Sequence, residues 1–281
     1  MNPSDGSDGA ATRPSPRWLF GVVDFGVTIV LWVYFTLGFV VFFGPFYLLA
    51  MIMGPDRHLR FQKLNHLFYR GFIKICRLLM PRQQWRIDPR LAGVRSSVIV
   101  CNHISYMDPI LLIAQYARHT TIAKNRLFGF PILGWLLRNS GYLPSASQGN
   151  LAGLTSRCLA AMPAFLASGG NLIVFPEGTR SRDGTVGDFN AGAFKIARLC
   201  RAPLAVVRIR NTNRLFMPGK FLFNTCSANT HALELLAQLT PDYGGTNFSL
   251  TDLMAQVRAI LEESHESRFD LHAGRGSLGD S

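Results

Sequence analysis

The sequence has no Cys-x-x-Cys pair, no Cys/His cluster, no P-loop, no Gly-x-Gly-x-x-Gly fingerprint and no internal repeat. Each absence removes a class. The cysteines, Cys76, Cys101, Cys158, Cys200 and Cys226, are scattered through mostly apolar stretches. That pattern excludes a disulfide scaffold and a zinc site, and it fits reduced thiols in a cytoplasmic compartment. Without a Gly-rich fingerprint, nucleotide chemistry has no visible seat. Neither a metal nor a resident cofactor is expected. Acidic residues are scarce too, 17 Asp and Glu against 29 Lys and Arg, for a net charge of +12. Such a balance calls for a polyanion, either nucleic acid or an anionic lipid surface. No reading helix or aromatic platform for nucleic acid is visible, and the positive charge is densest beside an apolar stretch, so the lipid surface is the expected partner.

That stretch, residues 18–53, is almost wholly apolar, with Asp24 its single charge. It is too long and too aromatic for a signal-peptide core. As one helix it would extend about 54 Å, well beyond a hydrocarbon layer of roughly 30 Å, so either a membrane helix has a long interfacial end or a break near Gly38 or Gly44-Pro45 makes a helical hairpin. Basic residues follow it (Arg57, Arg60, Lys63, Arg70, Lys74, Arg77 and onward), which puts the rest of the chain on the cytoplasmic face of the cell inner membrane. Residues 61–80 have helical periodicity, with Lys63, Arg70, Lys74 and Arg77 on one side and Phe61, Phe68, Phe72, Ile75 and Leu79 opposite. This describes a helix lying on anionic headgroups or an ordinary surface helix of a basic protein.

Beyond Pro81 short apolar runs at 97–101, 172–175 and 204–209, with a further short one at 120–123, suit buried strands. Helical stretches at 110–118, 151–167, 191–201 and 250–264 alternate with them. Pro163 interrupts the second of these. The fold class is therefore α/β, a mixed sheet flanked by helices and preceded by an N-terminal membrane helix or helical hairpin. The expected organisation is a disordered tail over 1–16, a membrane segment over 17–54, a basic interfacial helix over 55–81, an α/β domain over 82–270 and a loose tail over 271–281.

Residues 98–109, VIVCNHISYMDP, run from a buried strand through a polar turn into a helix that starts at Asp108-Pro109. The turn leaves His103 at a strand end, five residues before a carboxylate. A carboxylate that holds one imidazole N–H fixes the tautomer and stabilises the imidazolium, so the other nitrogen can take a proton from a hydroxyl. The same spacing also describes an Asp-capped helix beside an exposed His. A second stretch, NLIVFPEGTRSR at 171–182, is a strand that opens into a polar loop holding Glu177, Arg180 and Arg182. Loops at strand carboxyl ends are where open α/β sheets place ligands, and Arg is suited to phosphate. A salt-bridged surface turn would read the same way.

Taken together, NHISYMD (102–108) and FPEGTRSR (175–182) resemble the NHxxxxD and FPEGTRS blocks of the glycerolipid acyltransferase family, and the chain is similar to its lysophosphatidic acid acyltransferases. KNRLFGFPILGWLLRNSGYLP (124–144) and FNAGAFKIARLCRAPLAVV (189–207) resemble the blocks that lie between and after them. The resemblance implies transfer of a fatty acyl group from a thioester of acyl carrier protein or coenzyme A, a co-substrate, to the free hydroxyl of a lysophospholipid. By the same matching His103 is the general base and Asp108 its orienter. Glu177, Gly178, Thr179 and Arg180 line the acceptor site, with Arg180 and Lys124 near the phosphate. Ser105 and Cys101 are not needed as nucleophiles. Arg126 stands where the family often has an acidic residue, and GYLPSASQGN lacks an Arg often found there. A different acceptor, such as lyso-ornithine lipid or another lysophospholipid, is the alternative.

Overall fold

The computed structural model of this chain describes residues 17–146, 149–181, 185–217 and 219–266. Both expected tails, 1–16 and 271–281, lie outside them, as does Arg182. Seven strands, β1 (Gln83–Ile87), β2 (Val98–Cys101), β3 (His119–Ala123), β4 (Leu143–Pro144), β5 (Asn171–Val174), β6 (Leu204–Arg210) and β7 (Asn229–Leu239), form one sheet in the order β1-β7-β6-β2-β5-β3-β4. All neighbours are parallel except β6 and β7. The sheet is therefore mixed, as expected. The central strands β2, β5 and β6 are the apolar runs that the sequence shows. The others were not all legible: β1 buries alternate residues only, β4 has two residues, and β7 is half-exposed along much of its length. A search for continuous apolar runs finds strands covered on both faces and passes over those covered on one.

Nine α-helices lie among the described residues: α1 (Arg17–Val33), α2 (Gly44–Ile52), α3 (Arg57–Leu79), α4 (Met107–Ile113), α5 (Pro131–Asn139), α6 (Ala152–Ala167), α7 (Gly192–Leu199), α8 (Thr212–Leu215) and α9 (Leu250–Glu266). Alternation along β2 divides the core. Ile99 and Cys101 point to α3 and α4, whereas Val98 and Val100 point to α6, α7 and α9. Pro163 does not end α6, which continues to Ala167 with the proline on its exposed side. Helix α4 starts one residue earlier than expected and stops at Ile113, where tight turns at Gln115 and Tyr116 redirect the chain into β3.

Of the two arrangements open to the apolar stretch, a break near Gly38 or Gly44-Pro45 is not the one adopted. Helical backbone runs from Trp18 to Ile52, long and apolar enough to cross a membrane. A ten-residue π-helical segment, Tyr34–Phe43, precedes Pro45 and relieves the clash that a proline makes with the preceding turn. The chain instead reverses after Met53, and α3 returns along α1 and α2. Tyr34 donates to the Phe68 carbonyl at 2.7 Å and stacks on the Phe68 ring. Its hydroxyl lies so close to Gly71 that a Cβ there would collide with it. Further along, Tyr47 donates to Asn65 at 2.6 Å. The lone charge of the apolar stretch is also employed, since Asp24 accepts from the backbone N–H groups of Thr225 and Cys226. One turn on, Thr28 accepts from Phe223, and Trp32 stacks on Phe221.

These contacts decide what the apolar face of residues 61–80 meets. Phe61, Phe68 and Phe72 are buried against protein, not turned to headgroups, because α1, α2 and the domain cover that face first. Most of the exposed large apolar residues belong to α1, α2 and the segment between them, among them Trp18, Val30, Leu37, Phe42 and Ile52. The basic stripe of α3 remains exposed.

Candidate active site

At the carboxyl end of β2 the Asn102 carboxamide behaves as one more rung of the sheet. Its Nδ2 donates to the Ile209 carbonyl at 3.0 Å and its Oδ1 accepts from the Ile209 N–H at 2.8 Å. An amide side chain is the group that can replace a peptide in both senses. The backbone is thereby held to β6 while the next residue, His103, turns out at the rim.

His103 Nδ1 lies 2.9 Å from Asp108 Oδ2, with the His side chain 17% exposed and the Asp side chain fully buried. The same Oδ2 accepts the N–H groups of Ile104 (2.6 Å) and Ser105 (2.7 Å), and Oδ1 accepts the Thr212 hydroxyl at 2.5 Å. Asp108 is thus not the helix N-cap expected from the sequence. It lies within the first turn of α4 and reaches back to the turn amides, while the Ser105 hydroxyl accepts from Met107 at the helix start. Four donors stabilise a carboxylate, and a carboxylate requires Nδ1 of His103 to carry its proton. Nε2 is left as the acceptor, and it has no partner among the described residues. The Phe175 ring stacks on the imidazole at 4.4 Å between centroids and fixes its plane.

Strand β5 delivers the second motif beside the first. Gly178 has φ +66°, a conformation that glycine adopts without a Cβ penalty, and the chain there doubles back toward His103. The Glu177 carboxylate accepts from the N–H of His103 at 3.1 Å through one oxygen and from Gly187 at 3.1 Å through the other. The Ser181 N–H donates to the His103 carbonyl at 2.8 Å. Both polar groups of the His103 backbone are therefore held by the loop. Burial raises the Glu177 pKa, while the two amides pull it the other way. Its oxygens are occupied by backbone, so Glu177 shapes the site. Thr179 lines a cleft of about 340 Å³ with Ser181, Thr185 and Asp188, and His103 does not border it.

Arg180 lies with its guanidinium carbon 3.5 Å from the Tyr106 ring centroid, and its Nη1 is buried without a hydrogen-bond partner. Lys124, exposed at the carboxyl end of β3, shares the rim but stands two strands from β2, about 10 Å away by strand spacing. Cys101 and Ser105 are both fully buried. Burial, together with the charges of Asp108 and Glu177, pushes the Cys101 thiol well above its usual range, so it is no thiolate. Thr212, Asn102 and Phe175 carry parts of the site that the motifs do not reveal. Thr212 lies 104 residues from Asp108, and only the pairing of β6 with β2 brings it there. Among the described residues no three of His, Cys, Asp and Glu gather as metal ligands.

Residues 89–210 match the family model described as Acyltransferase, a span that includes the dyad, the clasping loop and the strand before Thr212. Over that span, which is under half of its length, the chain is similar to the acyltransferase family. Acyltransferases similar to it include the chloroplastic 1-acyl-sn-glycerol-3-phosphate acyltransferase of Brassica napus, 27% identical over 61% of this chain and 51% of that one. The 1-acyl-sn-glycerol-3-phosphate acyltransferase of Borreliella burgdorferi is 29% identical over 50% of this chain and 57% of its own. The chain spans about half the length of the curated relatives it matches. The crystal structure of the 1-acyl-sn-glycerophosphate acyltransferase from Thermotoga maritima superposes with a TM-score of 0.66 at 24% identity, covering 88% of this chain and 97% of that one. That likeness establishes the fold.

Proposed function

We propose that this acyltransferase moves a fatty acyl group from a thioester of acyl carrier protein or coenzyme A to the free hydroxyl of lysophosphatidic acid, giving phosphatidic acid for phospholipid synthesis. The observation that carries the proposal is the His103–Asp108 pair, whose tautomer leaves Nε2 free at a rim shared with an unpaired Arg180 donor. Nε2 takes the hydroxyl proton as the acceptor oxygen attacks the thioester carbonyl. The C–O bond forms, the C–S bond breaks, and the leaving thiolate is protonated by the imidazolium. No acyl-enzyme is required, in keeping with the burial of Ser105 and Cys101. Arg180 supplies the phosphate contact. A buried guanidinium N–H without an acceptor is costly, and an anionic acceptor relieves it. Lys124 adds positive charge at the same rim. Glu177 and Gly178 set the loop, and Thr179 flanks it.

The same proposal places the protein at the cytoplasmic face of the inner membrane, held by the exposed apolar side of α1 and α2 and by the basic stripe of α3. Because α3 and the 223–226 loop hold the other side of this helix, its exposed face rests in the membrane while the domain stays beside it. The protein should remain in the membrane pellet in high salt and leave only with detergent; release by salt alone would refute this attachment.

The decisive experiment presents the purified full chain with a panel of lysolipids, including lysophosphatidic acid and lyso-ornithine lipid, and with both thioester donors. Preference for lysophosphatidic acid supports the assignment. Equal or faster acylation of lyso-ornithine lipid would replace it.

A further inference from the structure

A second cavity, of about 390 Å³, lies on the far side of the sheet edge from the dyad, between the start of α3, the end of α5 and α6. That volume falls within the roughly 300–1,000 Å³ of ligand sites. Thr120, which lines it, is three residues back along β3 from the catalytic rim, about 10 Å by strand rise, on a strand already two removed from β2. The site is therefore separate from the one that holds His103.

Three arginines border this cavity, Arg57, Arg138 and Arg157, each from a different helix. None of their side chains forms an ion pair or a hydrogen bond among the described residues, and no Asp or Glu lines the cavity. The wall is nevertheless built. His58 Nδ1 meets the Asn139 carbonyl at 2.8 Å, and Gln62, 2% exposed, donates to the Ser140 carbonyl at 3.0 Å. Gln62 Oε1 is a buried acceptor without a partner. Leu154, Met162 and Phe165 add an apolar lining.

The position of the cavity points to what fills it. Arg57 follows by a few residues the reversal of the apolar helix, where Ile52 is 80% and Met53 50% exposed. At the opposite end of α5 from Arg138, Phe130 and Ile132 are exposed as well. Ile52 and Met53, bare a few residues before Arg57, describe a place where protein enters lipid next to a recess of three arginines that lack an ion pair or hydrogen bond, Arg138 lying only over the Phe128 ring. Arginine suits phosphate because its planar donors match the oxygens in pairs.

We propose that the Arg57–Arg138–Arg157 cavity is a binding site for the phosphate of an anionic phospholipid headgroup, distinct from the acceptor site. Inorganic phosphate offers the same chemistry without the lipid, and the two are separable. Native mass spectrometry of the full chain in neutral detergent, titrated with phosphatidylglycerol, should show one retained lipid. In Arg57→Gln/Arg138→Gln/Arg157→Gln retention should weaken by about a hundredfold, with the melting temperature and acyl transfer in phosphatidylcholine micelles unchanged. Arg180→Ala should retain the lipid as the wild type does. Equal retention by the triple variant would overturn the proposal, and so would equal retention of phosphatidylcholine by the wild type. Displacement of the lipid by inorganic phosphate at comparable concentration would reassign the cavity to a free anion and overturn the lipid assignment.

Discussion

Replacing Asp108 by asparagine separates charge from geometry. Three donors, His103 Nδ1–H and the N–H groups of Ile104 and Ser105, converge on Oδ2, and the Thr212 hydroxyl meets Oδ1. An amide placed there must direct its oxygen at the two backbone N–H groups, since an NH₂ group would confront them. The imidazole consequently keeps its Nδ1–H tautomer, and the Thr212 hydroxyl rotates to accept from the amide. What Asp108→Asn removes is the negative charge facing the imidazolium. Charge-assisted hydrogen bonds exceed neutral ones by about 1–2 kcal/mol, and the Coulomb attraction at about 4 Å and an effective dielectric of 20 is at most about 4 kcal/mol. The expected loss of turnover is therefore about 10²-fold. An amide that flips the tautomer costs about 10⁴-fold. Thiol release from the acyl thioester measures turnover, and a thermal melt measures stability. Asp108→Asn should melt near the wild type, whereas Asp108→Ala, which strands two N–H groups and a hydroxyl in a buried site, should lose about 3 kcal/mol or more. Were Asp108→Asn as inactive as His103→Ala, or were Asp108→Ala as stable as the wild type, the account of the four-donor carboxylate would be wrong.

Thr212→Val removes the donor to Asp108 Oδ1 and should lower stability by about 1.5–3 kcal/mol and turnover about tenfold with the acceptor KM unchanged; Thr212→Ser should restore both, and an unaltered kcat would show that Oδ1 needs no partner. Arg180→Ala should raise the KM for lysophosphatidic acid by orders of magnitude while sparing the donor, with Arg180→Lys recovering only part, and equal effects on both substrates in a two-way titration would rule out a phosphate clamp. Burial lowers the pKa of His119 to about 3 and of His231 to about 4, so below about pH 6.5 the unfolded chain takes up protons that the folded one refuses. Stability should accordingly fall on acidification, by about 2 kcal/mol per histidine at pH 5, and melts that are flat from pH 7 to 5 would contradict this.

The sequence by itself determined the class of fold, the two motifs and the dyad within one of them. Buried parallel strands must be continuously apolar, and His103 and Asp108 meet through a five-residue turn that local chemistry can close. It did not reveal β1, β4 or β7, whose burial is one-sided or brief. Nor could it show that Asp108 serves the turn amides in preference to the helix cap, a choice made by competition between donors in three dimensions. The apolar stretch at 18–53 was legible as such, and so was the solitary Asp24. That α3 would cover its own phenylalanines with this stretch, and that Asp24 would find Thr225 some 200 residues away, was not. Composition states how much apolar surface must be hidden, but not which partner hides it. Thr212 and the cluster of Arg57, Arg138 and Arg157 belong to the same category. Their sequence neighbours are unremarkable, and their roles arise because strand order and helix packing bring distant side chains to one point.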